Sequence, residues 1–125
     1  MAQISALVMS ESVRVDARRL ADIVAQLGEG SAHAVIGLAL EQLATALTDA
    51  DGALRAGRTG DAAALAERMA RLAWQIGLLS LAGVAMDLGA ALDRDDPAAL
   101  AAIHARLMRV GNRSLTAIWD RAGIA

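Results

Sequence analysis

The sequence predicts an all-α protein, an up-and-down four-helix bundle with a short extra N-terminal helix or segment. Three observations carry this. Apolar residues recur at steps of three and four through most of the chain, the period of one helix face. The breaks between these stretches are short, built from Gly28 to Gly30, Gly57 to Gly60, and the run from Asp93 to Pro97. Alanine and leucine dominate, with a single proline and no β-branched run, so local preference favours helix throughout.

Taken in order, residues 1–15 form an N-terminal segment in which Ile4, Leu7 and Val8 can make an amphipathic turn or two. That apolar face would dock on the body of the protein or on another chain. The first helix is expected over 16–28, with Asp16 as N-cap, Leu20, Ile23, Val24 and Leu27 as the apolar face, and Gly28 as its stop. A Glu29-Gly30 turn follows. Ser31 then caps a helix over 32–57 whose stripe is Ile36, Leu40, Leu43, Leu47, Ala50 and Leu54, with a weak point at Asp51-Gly52.

Asp61 caps the long central helix, 61–92, which carries two apolar stripes. One runs through Leu65, Met69, Leu72, Ile76, Leu79 and Met86, and the other through Trp74, Leu78, Leu81, Ala85, Leu88 and Leu92. A helix apolar nearly all round is central or also meets a partner. Asp96 and Pro97 open the last helix, 97–122, as N-cap and first helical residue. Its stripe is Leu100, Ile103, Leu107, Val110, Leu115 and Ile118. Short connections make consecutive helices antiparallel neighbours. Glycines inside helices (Gly37, Gly77, Gly83, Gly89 and Gly111) each cost about 1 kcal/mol against alanine, which implies close helix approach.

At 125 residues the chain reads as one domain, 1–125. With no cysteine it holds no disulfide and no cysteine-based zinc or redox site. A net charge of −2 gives no electrostatic footprint for nucleic acid. All twelve basic residues are arginine, which excludes Schiff-base and P-loop lysine chemistry. Mean hydropathy is +0.42, yet the longest uncharged run, 72–86, is shorter than the roughly 20 residues a spanning helix needs. The N-terminus has no basic region, so no signal peptide is expected. The expectation is a cytoplasmic protein with no cofactor or metal and no enzymatic motif.

The run AERMARLAWQIG at 66–77, with Leu81, Val84 and Leu88 beyond it, the turn before Asp61 and the DRDDPAAL connection, resembles the histidine-containing phosphotransfer (HPt) domain of bacterial phosphorelays. The resemblance spans about Leu40 to Ile118. Ala66, Met69, Ala73 and Ile76-Gly77 match small and apolar positions of that motif. The departures lie where the family's chemistry resides. Glu67 stands in place of the phosphoryl-accepting histidine, Ala70 in place of the lysine, and Arg71 in place of the glycine. A carboxylate cannot form a phosphoramidate, so the resemblance implies a degenerate member that binds a receiver domain or a sensor histidine kinase without accepting phosphate.

The residues expected to carry that binding are Glu67, Ala70, Arg71, Trp74 and Leu78, placed on one face by helical spacing. Tryptophan is a frequent interface anchor, and Glu67 could stand as a fixed anion. Against this, Trp74 and Leu78 could pack under the N-terminal segment, leaving Glu67 and Arg71 as an i,i+4 pair. Two alternatives remain open: phosphotransfer through an unaligned histidine, His104 or His33, or a structural bundle that self-associates, as a homodimer, through its second apolar stripe. Arg106, Arg109 and Arg113 form a row expected on the outer face of the last helix near Asp120. The cluster of Asp93, Asp95 and Asp96 lacks an EF-hand's length and closing glutamate, so capping accounts for it better.

Overall fold

The computed structural model describes residues 12–122. Among them are five helices: α1 (Ala17–Leu27), α2 (Glu29–Arg55), α3 (Thr59–Gln75), α4 (Leu79–Arg94) and α5 (Pro97–Ala122). Most of the expected segment 1–15 lies outside the described residues.

The caps explain where the helices begin and end. Asp16 Oδ1 accepts from the backbone N–H of Arg18 at 3.1 Å and Arg19 at 3.2 Å, satisfying two free donors at the start of α1. Asp96 does the same for Ala99 at 3.1 Å ahead of Pro97. Gly28, at φ +81°, ends α1 and is followed at once by α2. The expected Glu29-Gly30 turn is therefore the first turn of α2, and Ser31 lies inside it rather than capping it. Asp61 likewise falls inside the first turn of α3, 3.8 Å from Arg58, instead of at its cap.

The main correction concerns the long helix expected over 61–92, which is two helices. Gly77 takes φ +79°, a conformation open to glycine and costly for other residues. Around it, the N–H of Leu78 donates to Ala73 O at 2.8 Å and that of Gly77 to Trp74 O at 3.3 Å. These are the paired bonds of a Schellman ending. Gly57, at φ +74°, closes α2 in the same way, with Arg58 N–H on Ala53 O and its own N–H on Leu54 O.

Residues 14–16 run alongside this break. Val15 and Leu78 form an isolated antiparallel bridge. Asp16 N–H donates to Gly77 O at 2.7 Å, Leu79 N–H to Arg14 O at 3.0 Å, and Arg14 N–H to Ser80 Oγ at 2.7 Å. Arg19 Nε adds a bond to Gln75 O at 2.8 Å, satisfying a carbonyl at the end of α3. The turn is thus held from outside as well as by its own glycine.

Successive helices from α2 to α5 pack on one another, α5 returns to α2, and α1 rests on α2 and α5. The core is aliphatic, with Ile36, Leu43, Met69, Leu81, Leu88 and Leu107 each 1% exposed or less. Buried alanines such as Ala50, Ala62, Ala66 and Ala73 bring the helices close. Of the glycines expected to permit close approach, Gly111 does: a Cβ there would lie 2.7 Å from a Leu47 methyl. Gly77 instead serves its turn. Gly37, Gly83 and Gly89 face open space among the described residues. No helix of the described residues is long and apolar enough to cross a membrane.

Candidate docking surface

Positions 67, 70, 71 and 74 are spaced so that one face of α3 carries all four. Ala66 and Ala73 anchor that helix to the core at 1% and 0% exposure, which turns the opposite side outward. Glu67 and Arg71 are both exposed, with Oε1 to Nη1 at 3.1 Å. A pair this open to water contributes only about 0.3–0.5 kcal/mol to the helix. Ala70 lies between, half-buried. Trp74, in the last turn before the Gly77 break, is 67% exposed, the most exposed of the large apolar side chains described.

Leu78 does not belong to this surface. It was expected on the same face by continuing helical spacing past Gln75, but the chain leaves the helix there and Leu78 turns inward, 0% exposed. The same break reverses the expectation for Met86. Counted through an unbroken helix it shares a stripe with Met69 and Ile76, which are buried, whereas in α4 it faces solvent at 66% exposure. Gly77 was the signal that could have revealed both, since a glycine followed by apolar residues is what a Schellman ending looks like.

Met86 and Glu67 together line a shallow groove of about 470 Å³ between α3 and α4. Its other walls are small, among them Ala63, Ala70, Ala85 and Gly89, with Asp93 also lining it. The resulting surface is apolar and low in relief, with Trp74 and Met86 as its large exposed side chains and charge from Glu67 and Arg71.

The histidines lie elsewhere. His104 Nε2 is 2.7 Å from Asp51 Oδ1, and Arg55 Nε sits 3.1 Å from the same carboxylate oxygen. His104 and Arg55 hold the Asp51 carboxyl below its ordinary range, His104 by the larger effect. His33 is exposed and stacks obliquely on Trp119, ring centres 5.0 Å apart. His33 and Asp51 stand eighteen positions apart on α2, about 27 Å of helix, so the two histidines do not share a site.

Of the expected arginine row, Arg113 is exposed while Arg106 and Arg109 are half-buried. Arg106 approaches Asp87 to 3.8 Å. The row is therefore not a simple outer face. Asp120's side chain lies outside what is described. Asp95 takes φ +52° as the cap of α4 and Asp96 caps α5, so these two acids serve the turn. No group of three candidate metal ligands exists among the described residues.

Compared with protein-family models, with curated sequences and with solved structures, the chain matches none.

Proposed function

We propose that this protein is an HPt-like signalling adaptor, built as an up-and-down four-helix bundle formed by α2 to α5. It docks a receiver domain or a sensor histidine kinase in the cytoplasm and carries out no chemistry itself. The observation that carries the reading is Trp74 held 67% exposed on a rigid helix face. Exposing so large an apolar side chain has no folding benefit, and tryptophans at protein surfaces are characteristic anchors of interfaces. The run around Glu67 supports the partner class by its likeness to the phosphotransfer motif. The carboxylate at that position supports binding without phosphoryl acceptance.

The test is binding by a panel of phosphorylated and unphosphorylated receivers, with Trp74→Ala alongside. The reading predicts affinity for at least one receiver, lost in the variant, with no acid-labile phosphate on the protein. Label that disappears in His104→Ala would point to phosphotransfer, for which the Asp51 contact would orient the ring and leave Nδ1 as nucleophile.

The second stripe expected to carry self-association is core instead, with Leu78, Leu81, Ala85 and Leu88 each 1% exposed or less, but a different face has an observation of its own. Val35 and Leu38 are exposed at 47% and 56% on α2, and Leu27 at 47% at the end of α1. This reading predicts a mass that rises with concentration and a shift to monomer on Leu38→Ser.

A further inference from the structure

We propose that Arg19 of α1 is a positioning residue for the α3 surface, holding the turn that carries Trp74 so that the indole is presented in a fixed pose. The inference rests on the docking reading above and adds to that site a residue from a different helix. Trp74 lies one residue before the end of α3, where backbone carbonyls lose their intrahelical partners. Two of these are closed locally, Ala73 O by Leu78 N–H at 2.8 Å and Trp74 O by Gly77 N–H at 3.3 Å. Gln75 O is closed from outside, accepting from Arg19 Nε–H at 2.8 Å.

The donor is itself well fixed. Arg19 is half-buried, and Leu20 and Ile23 seat α1 in the core at 2% and 6% exposure. Asp16 N–H donates to Gly77 O at 2.7 Å, so the start of α1 is tied to the same turn. The two lie so close that a Cβ on Gly77 would stand 3.1 Å from Asp16 Cβ and 3.3 Å from Arg19 Cβ. Helix ends open with free energies near zero, far below that of the core. A side chain on such an end loses its pose whenever the turn frays, and ordering it again on binding costs affinity. Trp74 is 67% exposed, so packing around its own ring does little to order it. Its pose depends on the backbone beneath, and Arg19 closes the carbonyl next to it.

The chain has two tryptophans, so in a Trp119→Phe background the fluorescence anisotropy of Trp74 is read alone. Arg19→Ala is expected to lower that anisotropy and to weaken binding of a receiver domain about threefold, with helix content unchanged. Arg19→Lys, whose ammonium can donate to the same carbonyl, should restore both. Arg18→Ala is the control, since it removes the same charge one residue earlier and leaves the Gln75 bond in place; it should change neither. Unchanged anisotropy in Arg19→Ala, or an equal loss in Arg18→Ala, would overturn the proposal. So would receiver affinity that stays the same while Trp74 loosens. The anisotropy needs no partner: if no receiver binds even the parent protein, the docking reading fails, and the order of Trp74 still decides whether Arg19 positions it.

Discussion

At position 74 a tryptophan is presented to solvent by a helix whose opposite side is fixed by buried alanines. Its removal should therefore separate binding from folding. Trp74→Ala is expected to change the unfolding free energy by no more than about 0.5 kcal/mol. It should weaken partner binding by about 2 kcal/mol, roughly thirty-fold in Kd. Titration calorimetry and urea unfolding of the same preparations measure the two sides. Gly77 behaves in the opposite way. A side chain at φ +79° costs about 1–2 kcal/mol from backbone strain alone, and a Cβ there would also press on Asp16 O at 3.0 Å. Gly77→Ala should lower stability by at least that amount in urea unfolding. Gly52→Ala, inside α2 with nothing within 4 Å, should raise it by up to about 1 kcal/mol.

Among the elements, α1 and α5 were legible because their starts are local chemistry. Asp16 and Asp96 cap with their own side chains, and within a helix Pro97 is tolerated only in the first turn. The α3–α4 pair was misread because both stripes stay in phase with one long helix if Gly77 is treated as a packing residue. One glycine in the left-handed region resets that phase, which is why Leu78 turned inward and Met86 outward. Glu67, Ala70, Arg71 and Trp74, all before the break, kept the relation that helical spacing assigns them. The groove shared with α4 was not legible, since it depends on how two helices lie against each other. The bonds from Arg14, Asp16 and Arg19 to residues 75–80 were hidden for the same reason, being contacts between distant parts of the chain. Removing one of them is informative: Arg19→Ala should leave helix content unchanged but speed amide exchange at the α3–α4 turn, measurable residue by residue.

Across the whole molecule, α5 closes the bundle against α2, and the Asp51–His104 contact ties the two at 2.7 Å. Because His104 and Arg55 hold the folded Asp51 carboxyl below its ordinary value of 3.8, the contribution is complete above that value. It disappears as pH falls through the lowered folded value. The stability difference between the protein and Asp51→Asn should accordingly be largest at mildly acidic to neutral pH and fade in strong acid, as read from urea unfolding across that range. Cutting the core should be far costlier and independent of pH: Leu88→Ala, at 0% exposure, is expected to lose about 2–5 kcal/mol.

The proposed adaptor role requires that the face of α3 bind a signalling partner and that the protein accept no phosphate. The most direct measurement combines a phosphorylated receiver panel with the full chain and with Trp74→Ala, recording affinity and acid-labile label together. The expected result is receiver binding by the full chain, at least tenfold weaker binding by the variant, and label on neither. Label on the full chain, or receiver affinity that Trp74→Ala leaves unchanged, would contradict it.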